Sequence, residues 1–390
     1  MPIADPLALS PVPPPAPATH RVRDALVAIG FCIALALGGL GALRKPPELE
    51  FEYRALTPWP APALTRAFPG EVERAFADRF GGRDLLLRLH HRTMTGAFGV
   101  SPAPNVLIGR DDWLYFLGED AKSLERNYRG TLPIADAEIA AVVTELKLRQ
   151  QFLASLGIAY IVAIVPEKFT IYPEHLPAWA GPPTPATPLA RLLAALQADG
   201  TVHALDLRGP LADAKARERV YYATDSHWNM LGAAVGYGVI MREVQRALPE
   251  GKLAAIAHPV MPPYVAGVDV YAGDLARQVG FATHYREPDY APFAKVLGDP
   301  GGRCARRIDS SADAGFEIYG CARAGLPRAV VYRDSMAIPL IPLLSENFSR
   351  AVYVSDRRLD PALIRRERPD VVIDEMVERS LLAPAALPMR

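Results

Sequence analysis

Asp225 and His227, in the stretch YYATDSHWNMLGAA, and Ser335, in AVVYRDSMAIPLIPLLSENFSR, are the residues whose types could do nucleophilic chemistry together. A serine hydroxyl is a weak nucleophile until a base takes its proton, and an imidazole serves as that base when a carboxylate holds it in the right tautomer. With a single residue between them in an extended or turning segment, Asp225 and His227 can point the same way. The carboxylate then accepts from one ring nitrogen and leaves the other for a hydroxyl. Ser335 follows an apolar strand and precedes a helix-like run, which places its hydroxyl at a sheet edge beside N–H donors able to stabilise an oxyanion.

Each of these residues also has a blander use. Asp225 is well suited to cap the helix that follows. Trp228 is either a stacking surface for a sugar ring or part of the core. Lys168 and Tyr172 follow a strand ending at Pro166, so they either approach the same face or are a solvated lysine and a packed tyrosine. Asp334 is placed to hold the turn before Ser335, and Asp112 and Trp113 belong to a tight hairpin. His90 and His91 read as solvated or packed residues of a neck helix, and His175, His203, His258 and His284 have no ligand spacing, so neither a metal nor a cofactor is expected.

The elements that must position these groups alternate. ADAEIAAVVTELKLRQQFLASLG reads as a long helix ended by Gly157, and IAYIVAIVP as a buried strand stopped by Pro166. PLARLLAALQADG is a second helix and TVHALDL a strand. A third helix follows the Asp-His segment to about Leu248, and RAVVYRD, RAVYVSD and PDVVIDE are three more strands. Five strands alternating with helices imply an α/β domain of three layers, with helices on both faces of a mostly parallel sheet. Residues 249–326, rich in Gly, Pro and Tyr, break the rhythm and read as an insertion. NVLIGRDDWLYF reads as two short strands around a polar turn.

The chain has 390 residues and no formal net charge, so nothing argues for nucleic acid as a partner. Residues 1–24 form a Pro-rich tail. Residues 25–43 carry no charge and are flanked by Arg and Lys on both sides. A helix of that length rises roughly 28 Å, about the thickness of a bilayer core, and is longer than a signal-peptide core, so a retained transmembrane anchor is expected. Residues 44–104 read as a helical neck with Leu85, Leu86 and Leu89 on one side, and residues 105–385 as the globular domain, placed outside the cytoplasm. Cys304 and Cys321 either close a disulfide worth about 3 kcal/mol in an oxidising compartment or stay as two buried thiols.

TDSHWNMLG resembles the D-x-H-W-x-x-x-G segment of the SGNH-hydrolase-like alginate O-acetyltransferase family of the AlgX and AlgJ type, also called the DHHW group. DDWLYF, VPEKFTIYPEHLP, YAGDLA, VVYRDSMAIPLIPLLSENFSR and RPDVVIDEMVERSL are similar to other segments of that family, in the same order. The resemblance implies an SGNH-like domain in the periplasm, anchored in the inner membrane, which moves acetyl groups to exopolysaccharide hydroxyls through an acetyl-serine. It also implies a polytopic membrane O-acyltransferase as acetyl-donor partner. Ser335 would be the nucleophile, His227 the base and Asp225 its orienting carboxylate, with Trp228, Arg333, Lys168 and Tyr172 as candidate substrate contacts. Arg333 stands where related hydrolases have Gly, and would contact an anionic sugar or pair with an acid; Gly273 is a candidate second oxyanion donor. The residues alone leave open an acetylesterase acting on the same esters, or a polysaccharide-binding assembly factor without turnover.

Overall fold

A computed structural model describes residues 18–41, 56–62, 64–80, 83–249, 270–280, 282, 284–288, 304–311 and 315–382. The chain divides into two units, 1–90 and 91–390. Within the first, α1 (Ala18–Gly41) covers most of the uncharged run and α2 (Phe68–Arg79) follows. Several side chains of α1 lie outside the described residues, and over those that are described no helix is long and apolar enough to cross a membrane. A further helix is α3 (Arg83–Phe98). Of the stretch read as a Pro-rich tail, residues 1–17 lie outside the described residues, while 18–24 belong to α1, which therefore begins before the uncharged run.

The second unit holds the candidate site. It begins with the hairpin of β1 (Val106–Ile108) and β2 (Leu114–Phe116), whose turn places Asp111 and Asp112 at positive φ. Helix α4 (Asp136–Ser155) leads into β3 (Ala159–Val165), then a short turn α5 (Lys168–Ile171) and α6 (Pro188–Asp199), which is capped by the Thr187 hydroxyl. Next come β4 (Ala204–Asp206), α7 (Arg208–Lys215) and α8 (Met230–Ala247).

The stretch expected as an insertion contributes β5 (Val270–Tyr271), α9 (Asp274–Gln278), β6 (Glu287–Pro288), β7 (Arg306–Ser311) and β8 (Phe316–Gly320); its residues 250–269 and 289–303 lie outside the described residues. The chain then completes its core with β9 (Arg328–Tyr332), α10 (Ile341–Leu344), β10 (Arg350–Val354), α11 (Pro361–Glu367) and β11 (Val371–Val377).

The main sheet runs β4-β3-β11-β9-β10-β8-β7, and the first five of these strands are parallel. They are the five strands read from the sequence. The last two differ from that reading, because β7 and β8 do not stay within a separate insertion but extend the sheet as an antiparallel edge. A short connection allows antiparallel pairing without the crossover a parallel strand requires. Cys304, before β7, is bonded to Cys321, after β8, so the disulfide ties the two ends of this hairpin together.

Alternation along each strand divides the core into two layers. Ile161, Ala163 and Val165 of β3, Ala329 and Val331 of β9, and Ile373 of β11 face α7 and α8. Tyr160, Val162 and Ile164, Val330 and Tyr332, and Val372 face α4, α6 and α11. The result is the three-layer arrangement, with a mixed rather than wholly parallel sheet.

Helix α8 starts against backbone. A Cβ on Gly232, in its first turn, would lie 2.2 Å from the Val220 carbonyl oxygen and 3.0 Å from the Trp228 Cβ. Helix propensity alone would make Gly232→Ala stabilising by about 1 kcal/mol. Because the obstacle is a main-chain carbonyl, the opposite sign is expected, a loss of about 1–3 kcal/mol in denaturant unfolding.

Candidate active site

Residues 220–229 form a narrow loop. Tyr222 N–H donates to His227 O at 3.3 Å and Asn229 N–H to Val220 O at 3.0 Å, with Tyr221 and Trp228 bridged between them. The cap of α8 is not Asp225 but Asn229, whose side chain accepts from the Leu231 and Gly232 N–H groups at 3.0 Å each. That releases Asp225 for its other use. Its Oδ1 accepts from the backbone N–H of His227 at 3.0 Å and from the ring Nδ1 at 2.6 Å. The single-residue gap therefore works as an Asx-type turn that aims both N–H groups of His227 at one oxygen.

The carboxylate can only accept, so the ring proton sits on Nδ1 and the Nε2 lone pair faces outward. His227 Nε2 lies 2.9 Å from Ser335 Oγ. Asp225 is buried, His227 half-buried and Ser335 exposed, so the three groups run from the interior to a hydroxyl that a large substrate can reach.

Ser335 stands just beyond the C-terminal end of β9, on a 3₁₀ turn over Ser335–Leu340. Asp334 caps the turn, accepting from Met336 N–H at 2.8 Å through Oδ1 and from Val377 N–H at 2.7 Å through Oδ2. Both oxygens are thus occupied by main chain, and Asp334 holds the turn. As the first residue of that turn, Ser335 has an N–H without an intrahelical partner, the kind of donor that can stabilise an oxyanion.

Burial alone would raise Asp225, but the hydrogen bond and charge of His227, the Tyr271 hydroxyl and the Asp274 N–H hold it well below the usual carboxylate range. Burial alone would lower His227, and the hydrogen bond to Asp225, with the charges of Asp225 and Asp274, more than reverses this and raises it.

Two participants were not read from the sequence. Tyr271 OH donates to Asp225 Oδ2, and Asp274 N–H donates to the same oxygen at 2.9 Å. Both lie in YAGDLA, a segment matched to the family but given no part beyond Gly273. Gly273 itself is not an oxyanion donor, since its N–H donates to Thr224 Oγ1 at 3.0 Å. Its glycine identity answers to space: a Cβ there would lie 2.2 Å from the Thr224 carbonyl oxygen. Glu287 was also missed. Buried, it accepts from the Ala223 and Thr224 N–H groups at 2.9 and 2.7 Å and from Thr224 Oγ1 at 2.6 Å, which holds the backbone just before Asp225.

The candidate substrate contacts are elsewhere employed. Trp228 is 1% exposed, and its Nε1–H donates to Met336 O at 2.8 Å, tying the residue after His227 to the residue after Ser335. It has no face for a sugar. Lys168 is 2% exposed and donates to the carbonyls of Tyr222, Ala223 and Asp225 at 3.1, 2.9 and 2.6 Å, which uses all three ammonium protons. Burial pushes it down to about 8, with Glu287, Asp225, Asp274 and Glu167 opposing. The hydroxyl of Tyr172, also buried, accepts from Val220 N–H at 2.9 Å. These three build the loop rather than meet a ligand. Arg333 pairs with an acid, Glu317, at 3.3 Å.

Asp225, His227 and Asp274 are a group whose potential ligand atoms lie within 4.8 Å of one another. Their oxygens already accept from Tyr271, Ser226 and backbone N–H groups, which makes the cluster a matched set of donors and acceptors rather than a vacant ligand set.

Other segments quoted for the resemblance also meet here. From the hairpin, Trp113 and Tyr115 flank Lys168 Nζ at 5.7 and 5.3 Å from their ring centroids. After β3, Glu167 accepts from Arg379, which follows β11, at 2.8 Å. The ends of β3, β11 and β9 are adjacent in the sheet, so residues distant in sequence gather at one carboxyl edge.

The family described as SGNH hydrolase-like domain, acetyltransferase AlgX, matches residues 106–299, a span that includes Asp225 and His227 and ends before Ser335. The chain is similar to the probable alginate O-acetylase AlgJ of Pseudomonas putida, 30% identical over 245 residues, which are 60% of this chain and 56% of that protein. To the AlgJ of Pseudomonas syringae it is 26% identical over 303 residues, 72% of this chain and 70% of that one. The match to the first of these spans little more than half its length. The solved O-acetyltransferase domain of Pseudomonas putida AlgJ superposes with a TM-score of 0.43 at 22% identity, covering 72% of this chain and 92% of that domain.

Proposed function

The chain belongs to the AlgX/AlgJ family of SGNH hydrolase-like proteins, and from that premise we propose that it is an O-acetyltransferase that moves acetyl groups to polysaccharide hydroxyls through an acetyl-Ser335 intermediate. The observation that carries this reading is the unbroken line from buried Asp225 through His227 to exposed Ser335.

In the first half-reaction Ser335 Oγ attacks the carbonyl carbon of an acetyl donor while its proton passes to His227 Nε2. The Ser335 N–H stabilises the oxyanion, and the imidazolium is stabilised by Asp225. Collapse breaks the donor's C–O bond, and the leaving oxygen takes the proton from His227. In the second half, an acceptor hydroxyl gives its proton to His227 and attacks the acetyl-serine, and Ser335 leaves reprotonated. Water in place of the sugar makes the same site an esterase. The relatives' printed names, alginate O-acetylases, support a polysaccharide hydroxyl as the acceptor.

The protein is placed in the periplasm on a retained inner-membrane anchor, with a polytopic membrane O-acyltransferase as the donor partner. The uncharged run at residues 25–43 supports the anchor, and the Cys304–Cys321 disulfide supports an oxidising compartment. The test supplies a chromogenic acetyl ester with and without oligosaccharide and follows the acetate. Acetate bound to sugar is the expected result, whereas free acetate alone, at an unchanged rate with sugar present, points to the esterase.

A further inference from the structure

Asp274 brings a second carboxylate to His227, and the scheme above gives it no task. Its Oδ1 accepts from the Ser226 N–H at 2.7 Å and its Oδ2 from the Ser226 hydroxyl at 2.6 Å. That hydroxyl oxygen lies 3.1 Å from His227 Nδ1, and Asp274 Oδ2 lies 3.9 Å from the same nitrogen. Through its own N–H, Asp274 also holds the oxygen of Asp225 that faces away from the imidazole. One residue therefore touches the orienting carboxylate directly and the imidazole through a hydroxyl.

Resting on the acyl-serine reading, we propose that Asp274 is a positioning residue for the transfer, acting through Ser226. It fixes the His227 ring so that Nε2 faces Ser335, and it holds a second negative charge beside the imidazolium that forms when Ser335 loses its proton. The groups facing His227 are Asp225 and Ser226 from its own loop, Asp274 from the start of α9, Ser335 from the turn after β9, and Arg379 from beyond β11. Of these, Arg379 alone disfavours the charged ring. Asp274 is in turn faced by Asp225, His227, Ser226 and Tyr271, and lies in the fields of Lys168 and Arg379. Burial and the charge of Asp225 push Asp274 up; His227 and the hydrogen bonds from Ser226 oppose them.

The negative charge of Asp274 favours protonated His227, so removing it lowers the imidazole pKa. Because the neutral ring is the base, the acid limb of kcat/KM for Ser335 acylation then moves to lower pH.

The experiment uses the full chain and its Asp274→Asn and Ser226→Ala variants. Acylation by a chromogenic acetyl ester is followed across the acid and neutral range, and the His227 ring is titrated by NMR. The expected result for Asp274→Asn is a plateau about tenfold lower, together with an acid limb and an imidazole titration both displaced to lower pH. Ser226→Ala, which removes the bridge but not the charge, lowers the plateau with a smaller displacement. A rate loss without any displacement of the His227 titration means that Asp274 is structural only and overturns the proposal, as does an unchanged rate. A wild-type chain that forms no Ser335 adduct overturns the acyl-serine reading and this inference together, whereas a wild-type chain that acylates beside an undisplaced Asp274→Asn overturns this inference alone.

Discussion

Ser335→Ala is expected to lower kcat/KM for an activated acetyl ester by about 10⁴-fold or more, to abolish the acetyl adduct on the Ser335 peptide, and to leave stability within about 0.5 kcal/mol of wild type. The two halves of this expectation come from different features. Ser335 Oγ is the atom that forms the new bond, and alanine leaves His227 Nε2 with nothing to deprotonate except water. Yet the hydroxyl makes no contact that supports the fold. The turn beneath it is held by the Asp334 carboxylate and by the Trp228 indole on Met336 O, both untouched by the substitution. Mass spectrometry of the peptide and thermal unfolding of the same sample check both halves. Polymer acetylation that continues unchanged in the Ser335→Ala chain would instead favour an assembly factor that has kept the fold without turnover.

Asp225→Asn is expected to be nearly as damaging for a different reason, with a fall of about 10⁴ in kcat, the scale such a change produces in a serine protease triad. The Asp225 carboxylate accepts four hydrogen bonds, two on each oxygen: from the His227 N–H and Nδ1–H, and from Tyr271 OH and the Asp274 N–H. An amide has one acceptor oxygen. If it faces His227, its NH₂ is turned on the Asp274 N–H, which cannot accept. If it faces Tyr271 and Asp274, its NH₂ confronts His227 Nδ1 and forces the ring proton to Nε2, where it blocks the base.

Either orientation leaves a buried donor unmatched, so a stability loss of about 1–3 kcal/mol accompanies the kinetic one. Asp225 is depressed in the folded state, so its contribution to stability is fully present above the unfolded value, near about 3.9, and is lost only as pH falls toward the folded one. The loss is therefore in full force at neutral pH. The surviving activity has its acid limb at lower pH, because the neutralised side chain no longer raises His227. A pH–rate profile read beside denaturant unfolding checks both. A variant with wild-type kcat would remove Asp225 from the mechanism.

Where the site was misread, the direction of a side chain was the unknown. Trp228 and Lys168 stand in the right neighbourhood, and adjacency to His227 for the one and a place just after a strand end for the other made them candidates for the ligand. Whether a residue next to a catalytic group points out to substrate or back under the loop depends on what packs behind it. Here the Met336 carbonyl and three loop carbonyls claim them. Tyr271, Asp274 and Glu287 were missed for the converse reason. They approach the loop from another segment, through a contact so close that only glycine fits at 273, and no spacing within the sequence encodes such an approach.

The sequence by itself determined what is local and periodic. The five apolar strands and their helices, the Asp-x-His spacing, the Ser at a strand end and the pairable cysteines are each decided by a few neighbouring residues and by the 2.0 and 3.6 residue repeats. Only the tertiary structure decided which strands adjoin, that β7 and β8 lengthen the sheet, and that a second carboxylate stands at His227. Those outcomes depend on contacts between segments tens to hundreds of residues apart. Each is set by competition among all the groups that could fill one buried space or satisfy one buried hydrogen bond, and that competition is settled only when the whole core closes.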